Sequence, residues 1–165
     1  MSGLVGEEFV VLAAGLAVAI PGIMAAFGVA ITGIAAAAVS AEDPKKFSKI
    51  FVLQVMPGTQ GIYGFVAAFL LIFVVYPKFI NPTLIDPTLA ATGVAGLLIL
   101  LATLPAILQG FTSYSQGKVA IAGVSAVAKR PEVFGQSMMY IVTVELYAIL
   151  GLLATILFLT GIHAL

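Results

Sequence analysis

The chain has 165 residues, 62% of them hydrophobic and 8% charged, with a formal net charge of zero. A mean hydropathy of +1.21 excludes a soluble globular domain and marks a membrane protein. The charge balance offers nothing to a nucleic acid, and the absence of cysteine excludes a disulfide framework and thiolate chemistry.

The N-terminal segment MSGLVGEEFV lacks the basic start of a cleaved signal peptide and carries Glu7 and Glu8, so the first apolar stretch is expected to remain as a membrane span. That stretch runs from about Phe9 to Val39 and ends at the break SAEDPKK. It carries a stripe of small residues, Gly15, Ala19, Gly22, Ala26, Ala30, Gly33 and Ala37. The stripe suits either close pairing inside one bundle or a tight inner ring of many copies.

The second stretch runs from about Phe47 to Tyr76 and is interrupted by Gln54 and then Met56-Pro57-Gly58-Thr59-Gln60. Pro57 removes an N–H and frees the carbonyl four residues before it. Gly58 lets another group approach, and Thr59 and Gln60 add side-chain oxygens. The break PKFINPTLIDP follows; the third stretch, from about Thr88 to Val127, holds Gln116 and Lys118 and ends at AKRPE. The fourth, from about Val133 to Ile162, carries Glu145 alone among apolar residues, with His163 at its end. Each stretch exceeds the ~20 residues that cross a bilayer, so tilt or protrusion is expected.

Asp43-Pro44 and Asp86-Pro87 each set an N-cap acceptor before a proline suited to a first helical turn. Lys45, Lys46, Lys49, Lys129 and Arg130 gather at the first and third breaks, which predicts that those breaks are cytoplasmic and both termini outside. The expected fold is an all-α membrane protein of four transmembrane helices in two hairpins, residues 1–80 and 81–165. The hairpins match as copies: Ala41 with Ala128, Pro44 with Pro131, Phe47 with Phe134, Gly58 with Glu145 and Gly64 with Gly151, each 87 positions apart, and Pro21 with Pro105 at 84.

Glu145 is the residue that demands a function. An ionised carboxylate at bilayer depth costs roughly 2.5–3.5 kcal/mol on insertion scales, so it needs a fixed partner or an exchanging cation or proton. Counted from the loops, Gln60, Gln116 and Glu145 lie at one level, ~18 Å in for the acid at 1.5 Å per residue. A carboxylate, two amide oxygens, a hydroxyl and a loosened backbone form a set of hard oxygen donors, suited to a hard cation. Each also has a plainer role: the glutamines as interhelical glue, Thr59 bonded to its own helix, Pro57 as a kink, and Tyr63, one turn beyond Thr59 and within reach of the carboxylate, as packing. Lys118 falls about 200° around the helix from Gln116 and is expected to face a lumen or snorkel, not to pair with Glu145. His163 is expected at the interface in a structural role.

The segments LQVMPGTQGIYGF, SQGKVAIAG and VELYAILG resemble the membrane rotor component, the proteolipid or K subunit, of V-type sodium-translocating ATPases. The resemblance covers nearly the whole chain. It implies a multi-copy ring with the first and third helices inside, and Na⁺ held by the backbone carbonyl of Met56 with Thr59, Gln60, Gln116 and Glu145. It further implies that Tyr63 locks the site by a hydrogen bond to the acid. Two departures bear on affinity: Phe27 stands where some members have a basic residue, and Leu146 where some have Thr.

The function expected is that of a rotor protein of the V-type ATPase, carrying Na⁺ past a stator subunit with a basic residue and turned through central-stalk subunits by ATP hydrolysis elsewhere, with lipid around the ring. The chain is not itself an enzyme and has no Gly-rich loop to cradle phosphate. Three alternatives stand: the same rotor carrying H⁺, a stand-alone small cation transporter or channel, and a four-span scaffold protein. The oxygen donors beyond the acid favour sodium over the proton.

Overall fold

In the computed structural model of the chain, residues 6–81, 83–92 and 94–165 are described; the first five residues of the expected first hairpin, Pro82 of the middle break and Gly93 of the third stretch lie outside them. Among the described residues, four helices are long and apolar enough to cross a membrane: Glu7–Glu42, Pro44–Ile80, Ala95–Lys129 and Pro131–Gly161, called spans one to four below. At 1.5 Å per residue each would reach about 47–55 Å, longer than a ~30 Å hydrocarbon core. Among the described residues there is no strand.

The expected boundaries hold within a few residues except at the start of span three. A short helix, Pro87–Ala91, ends where Thr92 turns its hydroxyl onto the Leu89 carbonyl at 2.8 Å and accepts the Val94 N–H at 3.2 Å. That local bonding competes with the helix, so span three begins only at Ala95. The predicted caps form: Asp43 accepts from the Lys45 N–H and Asp86 from the Thr88 N–H.

Two spans break at the level of the polar residues. Span two narrows to a 3₁₀ turn at Met56–Gly58, where Pro57 cannot donate. Span three does so at Gln109–Phe111. Farther out, span two widens into a π turn at Leu71–Val75 just before Pro77, which lacks the N–H that a regular turn would use.

Span one packs against spans two and three, and span four packs against span three and, less extensively, span two. Spans one and three approach closely because Gly28 and Gly117 face one another; a Cβ on Gly117 would sit 2.9 Å from the Gly28 carbonyl oxygen. The buried face of span one is Ala14, Ala17, Pro21, Ala25, Gly28, Thr32 and Ala36. The predicted small-residue stripe is therefore not the seam inside this bundle. Gly15, Ala19, Ala26, Ala30 and Ala37 are exposed, and Gly22 and Gly33 half-buried.

The apolar core comes in two parts. One cluster is built on residues such as Val10, Ala17, Leu71, Ile99 and Leu159. The other, toward the 41–49 and 128–132 turns, is built on Ile50, Leu53, Val124, Val127 and Ile141. Between them in every span lies the polar layer: Thr32, Gln60, Gln109, Ser113, Gln116 and Glu145, all buried. A buried polar layer survives only where its groups bond one another, and that bonding builds the site.

Candidate ion-binding site

Glu145 is 6% exposed and receives donors from two other spans. Thr59 Oγ1 lies 2.7 Å from Glu145 Oε2. Gln116 Nε2 donates to the same oxygen at 2.7 Å and to the Ile141 carbonyl at 3.2 Å. The Tyr63 hydroxyl donates to Glu145 Oε1. Gln60 Nε2 donates to Gln116 Oε1 at 2.7 Å. The predicted residues thus come together: spans two, three and four each supply part of one cluster around one carboxylate.

Protons are scarcer there than oxygens. Thr59 has one hydroxyl proton, yet its oxygen stands within reach of three acceptors: Glu145 Oε2, the Met56 carbonyl at 2.9 Å and Gln60 Oε1 at 3.5 Å. The 3₁₀ turn before Thr59 brings the Met56 carbonyl to this point. A knot of oxygens with too few protons to share is electronegative, and a cation relieves it.

No side-chain cation among the described residues does so. Among the described residues the ion pairs are Lys46–Asp43 at 3.3 Å and Arg130–Glu132 at 3.0 Å, both in the turns between spans. Lys118 is exposed, as expected, and its ammonium lies 4.3 Å from the centre of the Tyr114 ring, a cation–π contact that the spacing from Gln116 does not reveal. Nor do three His, Cys, Asp or Glu side chains converge anywhere among the described residues. One acid among neutral oxygens suits a monovalent hard ion better than a transition metal.

Gln54 and His163 lie apart from this cluster, and Gln116 within it is turned. Gln54 reaches across to the Val29 carbonyl at 3.4 Å and joins spans one and two. Gln116 presents its amide N–H groups, not its oxygen, to the carboxylate. His163 sits past the end of span four with φ of 59°. Three residues of the polar layer were missed: Thr32, whose hydroxyl donates to the Gly28 carbonyl at 2.9 Å, and two that hold span two. Ser113 donates to the Pro57 carbonyl, and Gln109 Nε2 donates to the Gln60 carbonyl at 3.0 Å. The signal was present: Gln109, Ser113 and Gln116 are spaced four and three apart, on one face of a helix.

Comparison with known proteins places this arrangement. The family profile of the ATP synthase C subunit matches residues 12–71 and 94–158, one segment in each hairpin. The V-type sodium ATPase subunit K of Enterococcus hirae is 42% identical over 153 residues, 92% of this chain and 90% of that protein. The A-type ATP synthase subunit K of Methanocaldococcus jannaschii is 41% identical over 149 residues, 90% of this chain and 60% of that protein.

Proposed function

The chain belongs to the ATP synthase C subunit family, and on that premise we propose that it is a membrane rotor protein that carries Na⁺ at Glu145. Copies of it form a ring, with the exposed stripe of span one providing the close-packing seam between them. The two hairpins, 1–80 and 81–165, are a duplication, supported by the matched positions and by the family's match to each half. The 41–49 and 128–132 turns are cytoplasmic and both termini lie outside.

The observation that carries the sodium reading is the excess of oxygens over protons around Thr59. Na⁺ accepts the Met56 carbonyl, the Thr59 hydroxyl oxygen, Gln60 Oε1 and Glu145 Oε2 as donors. Gln116 joins by turning its amide so that Oε1 faces the ion. Tyr63 stays on Glu145 Oε1 and closes the site. The ion cancels the carboxylate charge, and the neutral site can cross lipid as the ring turns. A basic residue of a stator subunit then competes for Glu145 and releases the ion. Moving one charge through the membrane field costs ~2.3 kcal/mol per 100 mV, so ATP hydrolysis in partner subunits, delivered through a central stalk, supplies the work.

The test is carbodiimide modification of Glu145 in membranes, with and without Na⁺. Protection by Na⁺ at constant pH is expected. Modification that depends on pH and ignores Na⁺ would replace this reading with a proton-carrying rotor, and a species that stays monomeric in mild detergent would favour a stand-alone transporter.

A further inference from the structure

The ion site rests on a stretch of span two that its own helix holds poorly. Pro57 contributes no N–H, and the turn around it is 3₁₀. Span three grips this stretch by its backbone. The Ser113 hydroxyl donates to the Pro57 carbonyl, and Gln109 Nε2 donates to the Gln60 carbonyl at 3.0 Å. The two grips flank Thr59, whose hydroxyl reaches Glu145. Both gripping side chains are buried, Ser113 at 0% and Gln109 at 5% exposure.

Each grip occupies a space left by a glycine of a third helix. A Cβ on Gly28 would collide with Ser113 Oγ, and one on Gly151 would sit 2.6 Å from Gln109 Cβ. Those gaps fix where the two side chains stand. The Gln109 amide is also fixed in orientation. Its Nε2 serves two carbonyls, Gln60 at 3.0 Å and Ala106 at 3.1 Å, whereas its buried Oε1 has no partner among the described residues. Turning the amide over would set its oxygen against those two carbonyls. Gln109 therefore acts through its N–H groups, at the expense of an orphaned acceptor.

We propose that Gln109 and Ser113 are positioning residues of the ion site. They touch no ion. By pinning the Pro57 and Gln60 carbonyls they set the spacing between the Met56 carbonyl, Thr59 and Gln60 on one side and Glu145 on the other. That spacing determines which alkali cation fits best. The inference rests on the proposal that Na⁺ occupies the Glu145 site.

The experiment titrates protection of Glu145 from carbodiimide by Na⁺ and, separately, by Li⁺, in membranes carrying the assembled complex. Gln109→Met keeps the volume and removes the donors; Ser113→Ala removes one hydroxyl. Each variant is expected to raise the half-protecting Na⁺ concentration about tenfold, the equivalent of one lost hydrogen bond. Each should also shift the ratio of Li⁺ to Na⁺ half-protecting concentrations, because a cage of altered size no longer favours the same ion. Should Gln109→Met fail to assemble, Ser113→Ala decides. Unchanged protection, or weakening of both ions by one common factor as a merely structural role would give, overturns the inference. Absence of Na⁺ protection in the unmodified protein overturns the sodium reading and this inference with it, and is seen before any variant is made.

Discussion

The second spans of the two hairpins, spans two and four, begin alike and part at the depth of the site. Each opens on a 3₁₀ turn led by proline, Pro44–Lys46 and Pro131–Val133, followed by Phe47 or Phe134. At mid-depth span two breaks at Met56–Gly58, but span four runs unbroken through Glu145. Glu145 matches Gly58, and Gln116 on span three matches Thr32 on span one. In the first hairpin those places are filled and satisfied. Thr32 donates to the Gly28 carbonyl at 2.9 Å and lies 3.3 Å from that of Gly117; a Cβ on Gly58 would meet Val29 Cγ2 at 3.3 Å. The first hairpin thus supplies the loosened backbone and Thr59 and Gln60, and the second the charge and Gln116. Two hairpins make one cluster, and the membrane bears the cost of one acid, roughly 2.5–3.5 kcal/mol, instead of two.

Removing the charge tests this division most severely. Glu145→Gln keeps the shape and most of the hydrogen bonding, and the first hairpin has no acid to take over. ATP-driven Na⁺ uptake into vesicles is expected to fall to the level seen without ATP, while the protein still assembles. Substantial residual uptake would mean that the hairpins are not divided in this way.

The asymmetry was legible in the sequence because a lone acid in an apolar helix stands out, and because Pro-Gly followed by Thr-Gln is an interruption no plain span needs. Helix number, order and approximate ends were legible for the same reason, since apolar runs and turn residues are local signals. What the sequence hid depends on rotation and partner. The stripe on span one reads as a packing face, but whether this bundle uses it depends on how the helix is turned, and here the neighbouring face with Ala17, Pro21, Ala25 and Gly28 is used instead. The roles of Gln109 and Ser113 were not legible because their partners are backbone carbonyls, which carry no sequence signature. The late start of span three turned on one hydroxyl, that of Thr92, choosing a local bond.

The hydroxyl on the acid is the next largest difference. Tyr63 on span two reaches Glu145, and the matching position on span four is Leu150, 58% exposed and without a hydroxyl. The phenolic hydrogen bond to the acid therefore comes from the first hairpin. Hydrogen bonds to charged groups contribute about 1.5–3 kcal/mol, so Tyr63→Phe is expected to raise the half-protecting Na⁺ concentration tenfold or more in the carbodiimide assay, a weakening that Leu150→Tyr does not restore. An unchanged Tyr63→Phe would show that the phenol only packs.

The smallest difference lies at the turns between spans. Asp43 and Arg130 occupy matching positions with nearly the same backbone, φ −145° and ψ 93° against φ −140° and ψ 90°. Asp43 caps the Lys45 N–H at 3.1 Å, whereas Arg130 provides no side-chain cap. Arg130→Asn would give the second turn the acceptor it lacks, worth about 0.5–2 kcal/mol, against loss of an exposed ion pair worth ~0–1 kcal/mol. A modest rise in the midpoint of a far-UV circular dichroism melt is expected, with Na⁺ protection unchanged. An aspartate cap and an asparagine cap should also differ in acid. The Lys45 backbone N–H, aided by Lys46, holds the Asp43 carboxyl below its ordinary 3.8. Its contribution is therefore present above that value and lost as pH falls through the lowered one. An asparagine cap has no such dependence. Asp43→Asn should narrow the difference between melts at neutral and strongly acid pH, and Arg130→Asn should leave it as it was; if both variants moved it equally, the turns would not be distinguished by their caps.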